Sequence, residues 1–299
     1  MDSPSDRSAF RCGQVAVVGR PNVGKSTLVN QLVGERVSIT SKKAQTTRHR
    51  VTGIRTTKSA QFVFVDTPGI QAKHASRLNA RMNRAARESL AQVDAIIVVI
   101  EAGRTTDADR DVVALLPRDA SVVAALSKID RLRDPNLLLP QMRDLAPLFP
   151  FAAIVPVSAE KDRGLDLLAD AVEKLLPLRA ALYDEDAITD RDERFLAAEF
   201  IREKIFRLLG DEVPYATTVA IESFKQEGEL RRIEASVYVD RASQKAILVG
   251  QGGAQMKHIG SQARADMERL FGGKVFLTLW VRVKRGWADD DALLARLGY

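Results

Sequence analysis

The feature that most constrains the fold is a loop with the spacing G-x-x-x-x-G-K-S, which runs from Gly19 to Ser26. An apolar run precedes it directly and a helical pattern begins at its end, which is the context in which such a loop cradles phosphate groups. Gly19 and Gly24 let the backbone curl so that successive N–H groups point at phosphate oxygens, and the helix N-terminus adds a favourable dipole. Lys25 is placed to neutralise β- and γ-phosphate charge, and Ser26 to offer its hydroxyl to Mg²⁺. A glycine turn that merely joins a strand to a helix would need neither the lysine nor the hydroxyl.

We therefore expect the whole loop and the residue after it to contact a bound nucleotide. The predicted contact residues are Gly19, Arg20, Pro21, Asn22, Val23, Gly24, Lys25, Ser26 and Thr27.

The first half of the chain alternates short apolar runs with helical patterns. The runs predict strands at 14–18, 61–65, 94–100, 121–126 and 153–157, and the helical patterns lie at 26–33, 78–91, 107–116 and 165–176. Nearly unbroken apolar runs are typical of parallel strands that are buried on both faces. We expect an α/β phosphate-loop domain with a mostly parallel sheet and helices on both faces. A more polar run at 51–57 predicts an edge strand that pairs with 61–65 and makes the sheet mixed.

The motif Asp66-Thr67-Pro68-Gly69 comes directly after the predicted strand 61–65. Open α/β sheets place their ligands at the carboxyl ends of strands, so Asp66 is expected to hold Mg²⁺ through water and the Gly69 N–H to meet the γ-phosphate. The same composition is common in ordinary turns. By itself this motif leaves both interpretations open.

A third motif, Ser127-Lys128-Ile129-Asp130, ends the strand at 121–126 and resembles the guanine-specificity motif N-K-x-D. The Asp130 carboxylate would accept the ring N1–H and the exocyclic amino group of guanine, whereas adenine offers no matching pair. The Lys128 stem would cover the base. Ser127 stands where Asn is usual, and its shorter hydroxyl makes fewer contacts, so we expect weaker affinity with specificity retained.

Ser158 and Ala159 follow the predicted strand 153–157. In this loop a backbone N–H can meet the guanine carbonyl. Two residues alone are a weak signal, but they come in sequence order after the other three motifs.

A domain boundary is indicated at 176–189, where Pro177 ends a helical pattern and an acidic, turn-like stretch follows. We predict an N-terminal tail at 1–12, a GTPase domain at 13–180, a linker at 181–190 and a second domain at 191–299. The second domain reads as a helix at 191–209, a hairpin of strands at 217–224 and 230–239, helices at 244–249 and 254–271, and a strand at 274–283. This α–β–β–α–α–β order predicts a compact α+β module.

Charge is unevenly distributed along this second half. Residues 184–240 carry 8 basic and 15 acidic side chains, whereas residues 241–285 carry 9 basic and 2 acidic ones. A polyanion such as RNA would favour the basic block. A sequence pI near 9.5 would also give some basic face without any such partner.

The glycine-rich corner between the two predicted helices lies inside this basic block. Small residues at the start of a helix let an RNA backbone approach closely, and such a loop clamps about four nucleotides. The alternative is a simple corner between two helices. The predicted RNA-binding residues are Gly250, Gln251, Gly252, Gly253, Lys257 and Arg264.

Composition excludes several other classes of protein. A lone Cys12 cannot form a disulfide framework or a multi-cysteine zinc module, which fits a reducing cytoplasm. The first ten residues include acids where a secretory signal needs an apolar core, and no run of 18 apolar residues occurs. We expect a cytoplasmic protein. Peripheral association with the inner face of the cell membrane is left open.

With these motifs in order, the chain resembles the translation-factor-related class of GTPases. The stretch 247–260 resembles the G-x-x-G loop of a KH domain, and a phosphate-loop GTPase joined to a bacterial-type KH module is similar to the Era family. The runs 45–49, 188–191 and 249–260 agree closely with that family. The resemblance extends from about residue 13 to residue 297.

The resemblance implies a monomeric, GTP-controlled factor that binds the 3′ region of small-subunit ribosomal RNA, assists 30S subunit assembly and leaves on hydrolysis. It implies GTP or GDP and Mg²⁺ as ligands. Thr46 or Thr47 would belong to the first switch segment, and we favour Thr47 as the residue that joins Ser26 and Asp66 at Mg²⁺ and senses the γ-phosphate. The predicted catalytic residues are Asn22, Lys25, Thr47 and Gly69.

The residue after D-T-P-G is Ile70, where many GTPases use a glutamine to orient water. We therefore expect slow intrinsic hydrolysis. In related families with an apolar residue here, an Asn at the position of Asn22 helps to coordinate K⁺, although Asn is also a good turn residue. The rival interpretation is an RNA-binding scaffold with a structural guanine-nucleotide site and negligible hydrolysis. The sequence specifies neither the RNA sequence that is bound nor the turnover rate.

Overall fold

The computed structural model describes residues 10–43, 45–69, 76–210 and 212–299. By their contacts these residues form two units. The first contains residues 10–38, 50–69 and 83–190. The second contains 39–49 without 44, 76–82, and 191–299 without 211.

Within the described part of the first unit, six strands form one sheet. They are β1 (Arg11–Val18), β2 (Val51–Thr56), β3 (Ala60–Asp66), β4 (Ala95–Glu101), β5 (Val122–Ser127) and β6 (Ala153–Pro156). Their order is β2-β3-β1-β4-β5-β6, with β2 antiparallel to β3 and the other neighbours parallel. The predicted mostly parallel sheet and its antiparallel edge strand are confirmed.

Helices cover both faces of this sheet because its central strands carry apolar side chains on both faces. Val17 lies in one buried cluster with Leu28, whereas its neighbour Val18 lies in another with Val112. The helices are α1 (Lys25–Val33), α2 (Arg77–Ala91), α3 (Asp107–Ala114), α4 (Leu138–Leu145) and α5 (Leu165–Glu173). The first residues of α2, up to Met82, are grouped with the second unit.

Helix α4 was not predicted, because the prolines around it suggest a broken loop. Pro140 lies in the first turn of α4, where a backbone N–H has no intrahelical partner, so proline is tolerated there. Strand β1 also begins three residues earlier than the apolar run indicates, at Arg11.

The second unit contains α6 (Glu193–Leu208), β7 (Thr217–Glu227), β8 (Leu230–Val239), α7 (Ala242–Val249), α8 (Ala254–Phe271), β9 (Lys274–Val283) and α9 (Asp291–Arg296). Strands β7 and β8 are antiparallel, β8 and β9 are parallel, and the order is β7-β8-β9. Phe200, Ile259 and Met267 pack from α6 and α8 onto Val237 of β8. The α–β–β–α–α–β order is confirmed, and α9, capped by Asp290, is an addition to it.

Candidate functional site

The loop Gly19–Ser26 leads from β1 into α1, and its glycines are required by the backbone. Gly19 has φ 155°, and a Cβ there would lie 2.5 Å from the Val99 carbonyl oxygen, closer than any real contact. Gly24 has φ 105° and caps α1. A larger residue would clash with the Val99 carbonyl at position 19 and would strain the backbone at position 24. The shape of the loop therefore depends on glycine.

Lys25 points back into this loop. Its ammonium donates hydrogen bonds to the carbonyls of Gly19, at 3.1 Å, and Arg20, at 3.0 Å. Burial lowers the pKa of Lys25 to about 8, although the nearby Asp66 carboxylate acts in the opposite direction. A bound phosphate would favour the charged form of Lys25 and so raise its pKa again. The free loop is therefore suited to an anionic ligand.

The middle of the loop is held from outside by neighbouring elements. Arg20 bonds to Glu101 at 3.0 Å and to the buried Asp109 at 3.1 Å. Asn22 is exposed and has φ 66°, a left-handed conformation that Asn tolerates better than most residues. The Asn22 carbonyl accepts a hydrogen bond from Lys128 Nζ at 2.7 Å. The turn-residue explanation for Asn22 therefore has a structural basis, independent of any role with K⁺.

Asp66 ends β3 beside β1, where it pairs in register with Val17. It is fully buried, and its Oδ2 accepts a hydrogen bond from the Ser38 hydroxyl at 2.6 Å. Thr67 donates from Oγ1 to the Val17 carbonyl at 3.0 Å. These contacts fix the acid at the carboxyl edge of the sheet, close enough to Lys25 to affect its pKa.

The rest of this motif lies against the phosphate loop. Pro68 is buried, and a Cβ on Gly69 would lie 3.1 Å from Pro21, so a larger residue would crowd the loop. The structure thus brings Gly69 beside the loop, as its predicted contact with a γ-phosphate requires. Ile70 lies outside the described residues.

Ser127 ties the end of β5 to the phosphate loop. Its buried hydroxyl lies 2.7 Å from the Val23 carbonyl and 3.2 Å from the Ile100 carbonyl. A hydroxyl has one proton, so the shorter contact is the principal hydrogen bond. The hydrogen bond to the phosphate loop that an Asn would supply is therefore already made by Ser127.

Asp130 is held by the loop that follows β6. The Ser158 hydroxyl donates to Asp130 Oδ1 and accepts from the Lys161 N–H at 3.2 Å. The Ser158 N–H itself donates to the Arg163 carbonyl at 2.9 Å. Of the two predicted residues in this loop, Ala159 is thus the candidate donor to a base carbonyl, and Ser158 positions Asp130.

Sequence reasoning missed Glu101, which links two of the motifs. Glu101 ends β4 and contacts both Arg20, at 3.0 Å, and Lys128, at 3.1 Å. Burial raises the pKa of Glu101, but hydrogen bonds and charge from Lys128 and Arg20 outweigh burial and hold the pKa below its ordinary value. Its position at a strand end, like that of Asp66, was the available signal.

The segment with Thr46 and Thr47 is grouped with the second unit, and both threonines are buried. Thr46 Oγ1 donates to the Lys43 carbonyl at 2.7 Å. The next residue, Arg48, is buried and donates to the carbonyls of Thr217, at 2.7 Å, and Pro214, at 3.1 Å. The predicted coordination of Mg²⁺ by Thr47 remains a prediction.

The predicted RNA loop joins α7 to α8 and contains three glycines with positive φ. Gly252 and Gly253 have φ 57° and 81°, and a Cβ on either would meet nothing within 4 Å. Gly250 is different, since a Cβ there would lie 2.7 Å from the Gln255 side chain. The loop is therefore open to an approaching backbone on one side and closely packed on the other.

Lys257 and Arg264 are exposed on α8. Seven residues separate them, which is two helical turns or about 10 Å, so both lie on one side of the helix. Gln251 is also exposed. The structure thus presents two cations on the helix that begins at the glycine loop.

Among the described helices, none combines the length and apolar character needed to cross a membrane.

Comparisons with known proteins match both halves of the chain. A family model described as 50S ribosome-binding GTPase matches residues 14–128, and a KH domain model matches residues 212–288. GTPase Era of Nitrosomonas eutropha is 52% identical over 292 residues, covering 98% of this chain and 99% of the relative. GTPase Era of Chromobacterium violaceum is 52% identical over 97% of this chain and 98% of that protein.

Two solved structures are also similar. One is a variant of Aquifex aeolicus Era bound to GDP·AlF₄⁻, and the other is Era in complex with MgGDPNP and nucleotides 1506–1542 of 16S ribosomal RNA. Each has a TM-score of 0.93 and 37% sequence identity, and each match covers 97% of this chain and 99% of the other.

Proposed function

This chain belongs to the Era family of GTPases, and from that premise we propose that it binds the 3′ region of small-subunit ribosomal RNA and assists 30S subunit assembly under the control of GTP. It hydrolyses GTP to GDP and phosphate. The observation that carries the proposal is the convergence of Lys25, Asp66, Ser127 and Asp130 at the carboxyl edge of one sheet, in a chain that also presents an open glycine loop on a basic helix.

Guanine selection belongs to Asp130, which Ser158 holds in place. The substitution Asp130→Asn replaces one acceptor oxygen by a donor, so it should sharply weaken GDP binding and shift preference toward xanthine nucleotides. Asp134→Asn is the matched control, since Asp134 caps a nearby turn through the Asn136 N–H. Unchanged GDP affinity in Asp130→Asn would remove Asp130 from the site.

The donors present fit Mg²⁺. Ser26 offers a hydroxyl and Asp66 a buried carboxylate, which are the hard oxygen ligands that Mg²⁺ uses together with phosphate oxygens. When bound, the ion would neutralise charge that develops between the β- and γ-phosphates. Thr47 is proposed to add a third oxygen when the γ-phosphate is present. Lys25 contributes charge to the same phosphates, and the Gly69 N–H is a donor toward the γ-phosphate.

Because Ile70 cannot accept a hydrogen bond from water, the placement of water during hydrolysis is assigned to backbone groups, a cation or a partner. Asn22 is the proposed K⁺ ligand. Replacing K⁺ by Na⁺ at constant ionic strength should slow GTP turnover, and Asn22→Ala should remove the difference while GDP binding survives. Equal rates of the wild type in both salts would reject the role of K⁺.

RNA binding is assigned to the loop Gly250–Gly253, with Lys257 and Arg264 as phosphate contacts. Gly252→Asp adds a Cβ and a negative charge in open space, so affinity for RNA should fall while GDP affinity without RNA stays near wild type. Gly272→Asp is the matched control, because Gly272 also has positive φ and open surroundings at the other end of α8. Retained RNA affinity in Gly252→Asp would overturn the assignment.

A cytoplasmic location and a monomeric state are part of the proposal. The ribosomal RNA bound to a similar protein supports the cytoplasmic location. Peripheral contact with the inner face of the cell membrane remains a prediction. Sedimentation of the purified protein tests the monomer.

A further inference from the structure

The three-stranded sheet of the second unit has two different faces. Residues 275, 277, 279 and 281 of β9 belong to the buried or partly buried core that packs against the helices. Side chains alternate along a strand, so the intervening residues point to the opposite face. The residues on this outer face of β9 are Lys274, Phe276, Thr278, Trp280 and Arg282.

Two aromatic rings are exposed on this outer face. Phe276 is 50% exposed and Trp280 is 42% exposed. Four residues along a strand span about 13 Å, so the rings are two separate platforms and not a stacked pair. Single exposed apolar residues need no explanation, but two large rings on one strand face form a pattern.

Cations flank these rings. Lys274 precedes and Arg282 follows them on the same face of β9, which carries no acid. On the neighbouring strand Arg232 pairs in register with Phe276, and its guanidinium lies 4.9 Å from the centre of that ring. Two acids lie near these cations: Glu234 pairs in register with Thr278, and the Glu227 carboxylate lies 3.4 Å from the Arg232 guanidinium. Rings between cations favour a ligand that has both flat faces and negative charge.

We propose that the outer face of β9, with Phe276 and Trp280 as stacking platforms and Lys274, Arg232 and Arg282 as phosphate contacts, binds a second stretch of single-stranded RNA beyond the glycine loop. The proposal rests on the RNA-binding function proposed above. Base stacking on aromatic rings beside a basic strip is the general means by which proteins hold single strands.

Two further observations favour RNA as the occupant. A glycine loop of this kind clamps about four nucleotides, whereas the RNA in complex with a similar protein runs from nucleotide 1506 to 1542. Strand β9 also lies at the edge of the sheet, and α8 packs against it from the other side. A single strand that leaves the loop on α8 therefore needs to cross only this one edge to reach Trp280.

Fluorescence gives a direct test, because the sequence has two tryptophans and the other, Trp287, is buried. Titration with an RNA that corresponds to the 1506–1542 segment should quench the exposed Trp280 as a base stacks on it. A four-nucleotide RNA that fills only the glycine loop should leave the emission unchanged. Trp280→Phe should remove the quenching and retain most of the affinity, since phenylalanine still stacks.

Affinity measurements complete the test. Trp280→Thr should weaken binding of the long RNA roughly fivefold to hundredfold, with the salt dependence unchanged, and leave the short RNA unaffected. Val283→Thr is the matched control, because Val283 is also 42% exposed on β9 but lies on the opposite face. Thermal unfolding should confirm that both variants fold.

Each outcome has a definite meaning. This inference would be overturned if the long RNA did not quench the wild-type fluorescence and if Trp280→Thr bound that RNA as tightly as the wild type. If Gly252→Asp still abolished RNA binding in that case, the proposed function would stand. Failure of the wild type to bind either RNA would instead overturn the proposed function. If Trp280→Thr kept its affinity for RNA but bound the 30S subunit more weakly, the outer face of β9 would be a protein-docking surface and the inference would be overturned.

Discussion

Ser127 connects two motifs of the nucleotide site, and Ser127→Ala removes that connection with the loss of one oxygen atom. The hydroxyl lies 2.7 Å from the Val23 carbonyl in the phosphate loop, and the side chain is 6% exposed. Water therefore has little access to the carbonyl that loses its donor. The free loop should then visit conformations that do not match a bound nucleotide.

The magnitude follows from the single hydrogen bond. A neutral bond contributes about 0.5–1.5 kcal/mol net. If the whole of it serves to hold the loop in its binding conformation, GDP affinity falls about 2- to 10-fold, because 1.4 kcal/mol corresponds to a factor of ten. Ser127→Asn should gain little for the phosphate loop, since the tie it would supply already exists.

Calorimetric titration with GDP measures this change, and Ser89→Ala provides the control. Ser89 is also buried, but its hydroxyl bonds to the Ala85 carbonyl of its own helix at 2.8 Å, remote in sequence from every motif of the site. Both variants should lose some stability, and only Ser127→Ala should lose affinity. Equal GDP affinities of Ser127→Ala and wild type would refute the tie.

Three other outcomes follow from the same geometry. Because the free Lys25 loses its proton near pH 8 and bound phosphate keeps it charged, GDP affinity should fall up to tenfold per pH unit above about 8, and a flat profile from pH 7 to 9.5 would contradict this. Gly19→Ala should abolish detectable GDP binding through its clash at 2.5 Å, whereas Gly34→Ala, with nothing within 4 Å, should retain it in the same titration. Arg48→Met should lower the free energy of unfolding by about 3 kcal/mol in urea, through lost hydrogen bonds from a buried cation, whereas Arg84→Met on an exposed helix face should unfold close to wild type.

Much of the first unit could be predicted because its local signals agree with its tertiary structure. The apolar runs that end at Val18 and Leu126 are buried on both faces, so pattern and fold coincide there. The proximity of the predicted site motifs could be anticipated for the same reason, since strand ends at one edge of a parallel sheet converge. The order α–β–β–α–α–β likewise followed from periodicity around the glycine loop.

The missed elements are those in which a local signal opposes the final structure or is too short to detect. Pro140 argues against a helix at α4 in the sequence, although it lies in the first turn of that helix, where proline is tolerated. Helix α9 has six residues, and its stabilising contacts come from a cluster that includes Trp287 and Leu78, which are far apart in sequence. Ser38 carries no motif at all, yet it holds Asp66.

Arg48 shows where sequence reasoning stops and the structure adds a functional constraint. It lies in a polar run that suggests a solvated loop, but it is one of the largest fully buried side chains described. Its partners are carbonyls at Pro214 and Thr217, about 170 residues later, and no local pattern reveals them. Because Thr47 precedes Arg48 directly, the hydrogen bonds that anchor Arg48 at the start of β7 restrain the backbone next to the proposed γ-phosphate sensor. The same bonds that stabilise the second unit therefore limit the conformations available to Thr47.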